Sequence, residues 1–476
     1  MAGSFMMQGV SLKPLYLILV PISISAITFV LFRHYNQHNS DITPPTIQLK
    51  TSLQTPTSCR TTIEARRFPE TATKEVKDNE LTRHEARAIP NAPLKRTFGI
   101  QNAFTTSDKA EAKKFVARAH RLLGGSGSTG VDWVGIEKEL RDMLENIIEG
   151  SKSKHESRIN IGASGVPRAK VKLSPAVQAL SLRTSLWVLF NMKSETHINN
   201  KLLAELGGSI NSAWMGMKDN GEEKVKAVDF KDNKTLQDRL SAVFSRTNTD
   251  INIHEPTSNP LNLILPSFET LWRVVLRLFI VIHGHENMIE KENYKRAVIE
   301  FMRHPTHAQF RHRLDSGDDA PTSAEDAVLE ALRLYPPTRR VRRAFKEPNS
   351  ATTTIEAADV EAVHLNPQIW GPDAAEFRPC RWHNVSHIQQ PSFLAFGSRP
   401  FLCPASQSFG PMVVGLLVGV LLKAFGSSEQ WVLGSEDKKD MREIRSKERL
   451  SNERGAYEGL FLSLDQVDAG AIAADP

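Results

Sequence analysis

The sequence predicts a mainly α-helical protein with small β-sheets. Apolar residues recur at helical spacing in several long segments, and β-branched residues broken by Pro, Asn and Gly are concentrated in one region. No internal repeat is present. The segments with helical spacing are 107–123, 131–148, 177–192, 261–282 and 323–334. Short strands are predicted within 339–373, and a further hairpin at 459–464.

Length and composition exclude several classes of protein. A chain of 476 residues with 40% apolar and 24% charged residues can bury a large core. The three cysteines, Cys59, Cys380 and Cys403, are too few and odd in number for a disulfide framework, which fits a reducing compartment. The net charge of +6 comes without a lysine-rich block, so nucleic acid is not a predicted partner. A mild basic excess suits the docking of an acidic protein instead.

The N-terminal segment is predicted to be a membrane anchor. Residues 15–32 form an uncharged run of 18 residues, which is long enough to span a bilayer. Lys13 precedes it and Arg33 follows it, so the charge bias does not decide its orientation. A cleaved signal peptide is the alternative. We therefore predict an anchor at 1–33, a linker and the start of the body at 34–95, and the main body at 96–476.

Cys403 is the most informative residue. Residues 396–405 read Phe-Gly-Ser-Arg-Pro-Phe-Leu-Cys-Pro-Ala, and an apolar run follows at 412–422. This pattern predicts a thiol in a loop at the start of a buried helix, whose positive end favours the thiolate. A lone thiolate suits one coordination position of a metal, and haem iron is the expected occupant because cysteine ligation favours O–O cleavage. A buried structural cysteine is the alternative.

A second motif lies on the helix predicted at 323–334. Glu330 and Arg333 are three residues apart and share a helix face, so their side chains can pair. The same spacing occurs at 64–67, 80–83 and 300–303, so the pair alone is a weak signal. What distinguishes this copy is its context, because prolines, a strand-like segment and Phe-Arg-Pro-Cys-Arg-Trp at 377–382 follow it. The last segment supplies Arg381.

In the order and spacing of these motifs, residues 262–422 resemble the cytochrome P450 family of haem-thiolate monooxygenases. The resemblance implies a P450-like haem-thiolate fold behind the anchor, haem b as cofactor, and Cys403 as the axial ligand of its iron. It also implies that the charges of Glu330, Arg333 and Arg381 form a structural triad beneath the haem. The resemblance implies that Phe396 contacts the cofactor. It also implies that Arg343 binds a haem propionate, with Arg342 as the alternative.

The resemblance assigns catalytic roles to Glu269 and Thr270. Residues 266–270 read Pro-Ser-Phe-Glu-Thr and match the family's central-helix motif over the haem. There Thr270 would hydrogen-bond the bound oxygen or its water, and Glu269 would relay protons. Pro266 removes one helical hydrogen bond, to the carbonyl of Asn262, and bends the helix. The alternative is an ordinary amphipathic helix.

The cysteine loop departs from the family at two positions. Arg399 stands where a glycine is usual, and Phe401 stands where an arginine usually binds a haem propionate. The loss of that arginine predicts weaker haem anchoring, by about 1.5–3 kcal/mol. Arg399 is a candidate to replace the propionate contact of the missing arginine. Lys114 and Arg118 are weak candidates for the contacts that the family's N-terminal helix makes with the haem.

Together these features predict an oxidoreductase, a monooxygenase that hydroxylates or epoxidises a lipophilic substrate in secondary-metabolite biosynthesis. The altered cysteine loop most resembles that of divergent fungal biosynthetic members of the family. The family implies electrons from NADPH through NADPH–cytochrome P450 reductase, with the body on the cytoplasmic side of the endoplasmic reticulum membrane. Two alternatives remain. One is a haem-thiolate isomerase or dehydratase that needs no reductase. The other is a membrane-anchored scaffold that has lost haem, which Phe401 suggests.

Overall fold

The computed structural model describes thirteen stretches of the chain. They are residues 47–49, 53–66, 80–124, 130–159, 169–193, 198–218, 228–245, 251–284, 291–316, 319–346, 352–426, 431–446 and 448–464. The predicted anchor at 15–32 lies outside these residues. Within the described ranges, no helix is both long enough and apolar enough to cross a membrane.

The structure confirms a mainly helical chain with small sheets. The helices are α1 (Pro56–Ile63), α2 (Arg83–Ala88), α3 (Ala92–Phe98), α4 (Lys109–Leu122), α5 (Trp133–Ile159), α6 (Leu173–Phe190), α7 (Asn200–Lys218), α8 (Lys234–Phe244), α9 (Leu261–Gly284), α10 (Lys291–Arg303), α11 (His307–Arg311), α12 (Ala324–Leu334), α13 (Val360–His364), α14 (Pro367–Trp370), α15 (Gln389–Ser392), α16 (Phe409–Phe425) and α17 (Lys438–Arg445). Short 3₁₀ turns occur at Ile89–Asn91, Phe230–Asp232 and Pro379–His383. The strands are β1 (Ile47–Leu49), β2 (Ala169–Lys172), β3 (Leu314–Ser316), β4 (Asp319–Thr322), β5 (Arg340–Lys346), β6 (Thr353–Asp359), β7 (Trp431–Ser435) and β8 (Leu460–Leu464).

Two helices form the centre of the core. Helix α9 packs against α6 on one side and α16 on another, and nearly all of its side chains are buried. Helix α16 is apolar on every face and is buried between α9, α10, α12 and α5. A helix that is apolar all round is stable only inside a large core. The cysteine loop, which directly precedes α16, is therefore joined to a helix at the centre of the core.

The strands form two three-stranded sheets and one hairpin. In the first sheet β6 lies between β1, to which it is parallel, and β5, to which it is antiparallel. In the second, β8 lies between β2 and β7 and is antiparallel to both. Strand β8 occupies the segment at 459–464 that was predicted to form a hairpin. That prediction was wrong about pairing, because the partners of β8 come from distant parts of the chain.

Parts of the predicted linker pack against the body. Helix α1 contacts β6, and α2 contacts β5. The Glu64 carboxylate also accepts a hydrogen bond of 2.8 Å from the Ser398 hydroxyl in the cysteine loop. The domain boundary at residue 95 stays a prediction, but residues before it contribute to the surroundings of Cys403.

Pro266 lies inside α9, as the sequence predicts. Because proline has no N–H, the carbonyl of Asn262 loses its helical donor. The side-chain amide of Asn102 replaces it, with its Nδ2 donating to the Asn262 oxygen at 3.2 Å. Asn102 lies 160 residues away in the sequence and supplies the hydrogen bond that Pro266 removes from the Asn262 carbonyl.

We expect Asn102→Ala to lower the free energy of unfolding by about 1–3 kcal/mol, because it leaves the buried Asn262 carbonyl without a donor. Chemical denaturation of the full chain measures this loss. The matched background is Pro266→Ala, which restores a backbone N–H for the same carbonyl. If Asn102→Ala costs as much in that background as in the wild type, the hydrogen bond does not explain the loss.

Candidate functional site: a cysteine loop with buried cations

The loop before α16 is closed by its own backbone. The Cys403 N–H donates to the Phe396 carbonyl at 2.9 Å, and the Phe401 N–H donates to the Ser398 carbonyl at 2.9 Å. Gly397 has φ +75°, and a Cβ there would lie 3.3 Å from the Phe401 carbonyl oxygen. Only glycine adopts this conformation without strain. The position of the Cys403 thiol is thus set by backbone geometry, with Phe396 acting through its carbonyl.

The Cys403 thiol does not have the lowered pKa that the sequence predicts from a helix N-terminus. Burial raises its pKa, against the opposing effects of a hydrogen bond from the Ala405 N–H and the charge of Arg87. The physical reason is that α16 begins at Phe409, so the thiol lies outside its first turn. Coordination to a metal ion would supply the thiolate that the helix does not favour, because coordination deprotonates a thiol outright.

The structure brings Glu330, Arg333 and Arg381 together. Arg333 donates to both oxygens of Glu330, through Nε at 2.9 Å and Nη2 at 2.8 Å. Arg381 reaches the same carboxylate through Nε at 3.3 Å. Glu330 and Arg333 are completely buried. A fourth donor is the Trp382 indole, 3.1 Å from Glu330 Oε2.

This buried network joins α12 to the segment around residues 364–382. Arg333 Nη1 donates to the carbonyls of His364 at 2.6 Å and Ala374 at 2.7 Å. Arg381 adds a 3.1 Å contact to Asp373 and a bond to the Trp370 carbonyl. Paired buried charges are tolerated only when their remaining hydrogen-bonding groups are satisfied, as they are here. The network fixes the segment that leads to the cysteine loop.

His364 is a member of this network that sequence reasoning missed. Its Nδ1 donates to the Arg333 carbonyl at 3.0 Å, and its Nε2 accepts from the Leu394 N–H at 2.8 Å. The ring stacks on Phe393 at 5.5 Å. His364 thereby links the Glu330–Arg333 helix directly to the approach of the cysteine loop. Its proximity to Arg333 depends on tertiary packing, so no local pattern reveals it.

Burial and the nearby Arg333 charge lower the pKa of His364 from 6.5 to about 3. Both ring nitrogens are engaged in the neutral form, so protonation breaks the bond from Leu394. Because the folded pKa is lower than the unfolded pKa, the unfolded state binds the proton first as pH falls. The stabilisation from neutral His364 is complete above about pH 6.5 and decreases progressively towards about pH 3.

We therefore expect the wild type to lose up to about 1.4 kcal/mol more stability per pH unit than His364→Gln, between about pH 6 and pH 4. Glutamine keeps one donor and one acceptor but does not titrate. Denaturant unfolding at a series of pH values measures the two slopes. Parallel slopes would show that His364 does not contribute to the acid sensitivity.

Three basic side chains surround the ring of Phe401. The guanidinium carbons of Arg87 and Arg343 lie 4.7 Å and 5.1 Å from its centroid. The His84 ring meets it edge-on at 5.6 Å. We call these residues, His84, Arg87, Arg343 and Phe401, the cationic cluster. It assembles from α2, β5 and the cysteine loop.

The two arginines of the cationic cluster are buried without a counter-charge among the described residues. Arg87 is 8% exposed and Arg343 is 5% exposed, and within the described residues neither forms an ion pair with a carboxylate. Burial lowers the pKa of Arg87 to about 10. Burial, together with repulsion from Arg87, lowers that of Arg343 to about 9. The Arg343 Nε and the His84 Nδ1 are buried and have no hydrogen-bond partner.

These residues fit a haem. A haem needs an axial ligand for its iron and counter-charges for its two propionates, and the site offers a fixed thiol beside two unpaired buried arginines. Cys403 would hold the iron, and Arg87, Arg343 and His84 would bind the propionates. Arg343 is a residue that the sequence resemblance selected, whereas His84 and Arg87 were missed. The signal that could have found them is their three-residue spacing within the segment that forms α2, which the sequence analysis assigned to a linker.

The substitutes considered from the sequence lie elsewhere. Lys114 and Arg118 are on the outer face of α4 and are exposed. Arg399 is exposed and lines a cavity of about 470 Å³ against the cysteine loop, together with Cys403, Arg83 and His120. Arg399 therefore belongs to a basic outer surface and not to the buried cationic cluster.

Glu269 and Thr270 lie on α9, where the sequence predicts them. The Thr270 hydroxyl donates to the Pro266 carbonyl at 2.9 Å. The Glu269 carboxylate is buried and pairs with Arg454, whose guanidinium also donates to Asn211 at 3.1 Å and lies 4.7 Å over the Trp214 ring. The other Glu269 oxygen has no partner within the described residues. Their catalytic roles stay predictions.

A fixed cysteine beside two buried arginines that have no carboxylate partner within the described residues is an arrangement that suits a haem-thiolate site. No protein-family model matches the chain. Among curated proteins, a cytochrome P450 of Caenorhabditis elegans, CYP13A5, is 38% identical over 88 residues, which is 17% of this chain and 17% of the relative. A cytokinin hydroxylase of Arabidopsis thaliana is 32% identical over 110 residues, or 22% of this chain and 21% of the relative. Among solved structures, the haem domain of a cytochrome P450DA mutant aligns with a TM-score of 0.46 and 14% identity, over 84% of this chain and 83% of that one.

Over the matched residues the chain is similar to cytochrome P450s, as the motifs predict. The curated matches span only about a fifth of each relative's length. These relatives come from a nematode and a plant, so the narrower prediction of a fungal member gains no support from them.

Proposed function

We propose that this chain is a haem-thiolate monooxygenase that inserts one oxygen atom of O₂ into a C–H bond or double bond of a lipophilic substrate. Two electrons and two protons convert the other oxygen atom to water. The single observation that carries the proposal is the juxtaposition of Cys403 with the unpaired buried Arg87 and Arg343. The same arrangement weighs against a scaffold that has lost haem, because buried cations without an anion cost stability.

Each group of residues has a distinct role in this proposal. When bound, the haem supplies oxygen activation. Cys403 would hold the iron, and the basic residues of the cationic cluster would bind the propionates. Glu330, Arg333 and Arg381 would keep the cysteine loop in place. Thr270 presents a hydroxyl on α9, and Glu269 exchanges protons once its pair with Arg454 opens.

The redox partner and location follow from the family resemblance and are part of the proposal. NADPH–cytochrome P450 reductase would deliver electrons at the surface near Cys403, where Arg83, His120 and Arg399 offer a basic face to an acidic protein. The N-terminal run at 15–32 would anchor the chain in the endoplasmic reticulum membrane, with the body in the cytoplasm. A role in secondary-metabolite biosynthesis is the narrowest form of the proposal.

A reduced carbon-monoxide difference spectrum tests the proposal. We expect the purified wild type to show a thiolate-type Soret band and Cys403→Ser to lack it, because serine does not replace a thiolate ligand. The matched control is Cys380→Ser, which changes another partly buried cysteine and should retain the band. A wild type without this band would support the scaffold alternative. Turnover that needs neither reductase nor O₂ would support the isomerase or dehydratase.

A further inference from the structure

The ring of Phe401 joins two cations that would otherwise repel each other. Arg87 comes from α2 and Arg343 from β5, and both guanidinium groups lie within about 5 Å of this one ring. Arg87 also lies 4.3 Å over the ring of Phe104. The negative face of an aromatic ring attracts a guanidinium, whereas an aliphatic side chain of similar size does not. Phe401 therefore offsets part of the repulsion between the arginines.

The two arginines have no carboxylate partner among the described residues. Each is more than nine-tenths buried, and the Arg343 Nε has no acceptor within the described residues. Moving two like charges out of water without an anion costs several kcal/mol per ion. A guanidinium binds carboxylates through paired N–H groups, so two carboxylates on one ligand would satisfy both.

We propose that Phe401 is a positioning residue that holds Arg87 and Arg343 together as the receptor for the two haem carboxylates, in place of an arginine in the cysteine loop. This inference rests on the proposed function, because it requires a haem at Cys403. It reverses the expectation that Phe401 weakens anchoring. The charge comes from Arg87 on α2, and the loop contributes the ring that orients it.

The test compares haem with haem dimethyl ester, whose carboxylates are blocked, in titrations of the full-length apoprotein followed at the Soret band. We expect the wild type to prefer haem by about tenfold or more, the effect of at least one charged hydrogen bond. Phe401→Leu should lose most of this preference while binding the ester as the wild type does. Phe401→Tyr, which keeps the aromatic face, should retain it.

The double variant Arg87→Gln/Arg343→Gln keeps the test decisive even if Phe401→Leu fails to fold. It should bind haem and the ester equally. If this double variant still prefers haem over the ester, Arg87 and Arg343 are not the receptor for the haem carboxylates. If a folded Phe401→Leu keeps the full preference for haem, the ring does not position the arginines. Failure of the proposed function looks different, because neither ligand would then give a thiolate-type Soret band in any variant.

Discussion

Glu330→Ala is expected to lower the free energy of unfolding by about 3–5 kcal/mol, because it leaves Arg333 and Arg381 buried without their carboxylate. Arg333 is fully buried and Arg381 nearly so, so solvent cannot replace the lost partner. The Trp382 indole and the Arg378 backbone N–H lose an acceptor as well. Denaturant unfolding of the full chain measures the loss, and the retained haem after purification reports its effect on the cysteine loop.

The chain contains its own control for this prediction. Glu300 and Arg303 have the same spacing and also form an ion pair, but on the surface of α10, with the arginine 47% exposed. An exposed pair contributes about 0–1 kcal/mol, so Glu300→Ala should have little effect. If both substitutions lower the free energy of unfolding equally, burial does not explain the effect at Glu330, and the structural role of the triad is wrong.

Arg454→Met should be destabilising to a similar degree, by about 3–5 kcal/mol, because the buried Glu269 carboxylate then loses its ion-pair partner. Glu269 is 3% exposed, and Arg454 is its ion-pair partner within the described residues. The packing of the guanidinium over Trp214 is lost at the same time. Chemical denaturation at neutral pH measures the change.

A double-mutant cycle separates the charge from the packing. Glu269→Leu/Arg454→Met removes both charges, so its stability should lie well above that of Arg454→Met alone. Arg141→Met, which breaks an exposed pair with Glu137 on α5, serves as the surface control. If the double variant is no more stable than Arg454→Met, the cost came from lost packing and the pair does not restrain Glu269.

The sequence predicted six of the described helices, α4, α5, α6, α9, α12 and α16, because their patterns are local. The capping residue Ser323 and the terminating Pro336 set the ends of α12 almost to the residue. The apolar run after Cys403 likewise predicted α16, which is buried on all faces. Strand pairing was harder, because β8 pairs with β2 and β7 from distant parts of the chain and no hairpin turn sets its register.

The residues of the candidate site likewise fall into two groups, those that the sequence identified and those that only the structure revealed. Cys403, Glu330, Arg333 and Arg381 could be found from the sequence, because the order of their short motifs resembles that of a known family, although the Glu–Arg spacing alone is a weak signal. The bond between Asn102 and the carbonyl freed by Pro266 could not, nor could the link from His364 to Leu394. Both join segments that become neighbours only when the chain folds.

The sequence by itself therefore determined the helical class, the cysteine loop and the charges below it. Only the tertiary structure decided which residues from other elements surround the cysteine loop. From the sequence, Phe401 marked a missing arginine. In the fold it is the surface on which Arg87 and Arg343 meet. The reason is physical: a local pattern specifies backbone conformation and one face of an element, whereas a buried charge depends on groups that distant segments bring within about 5 Å.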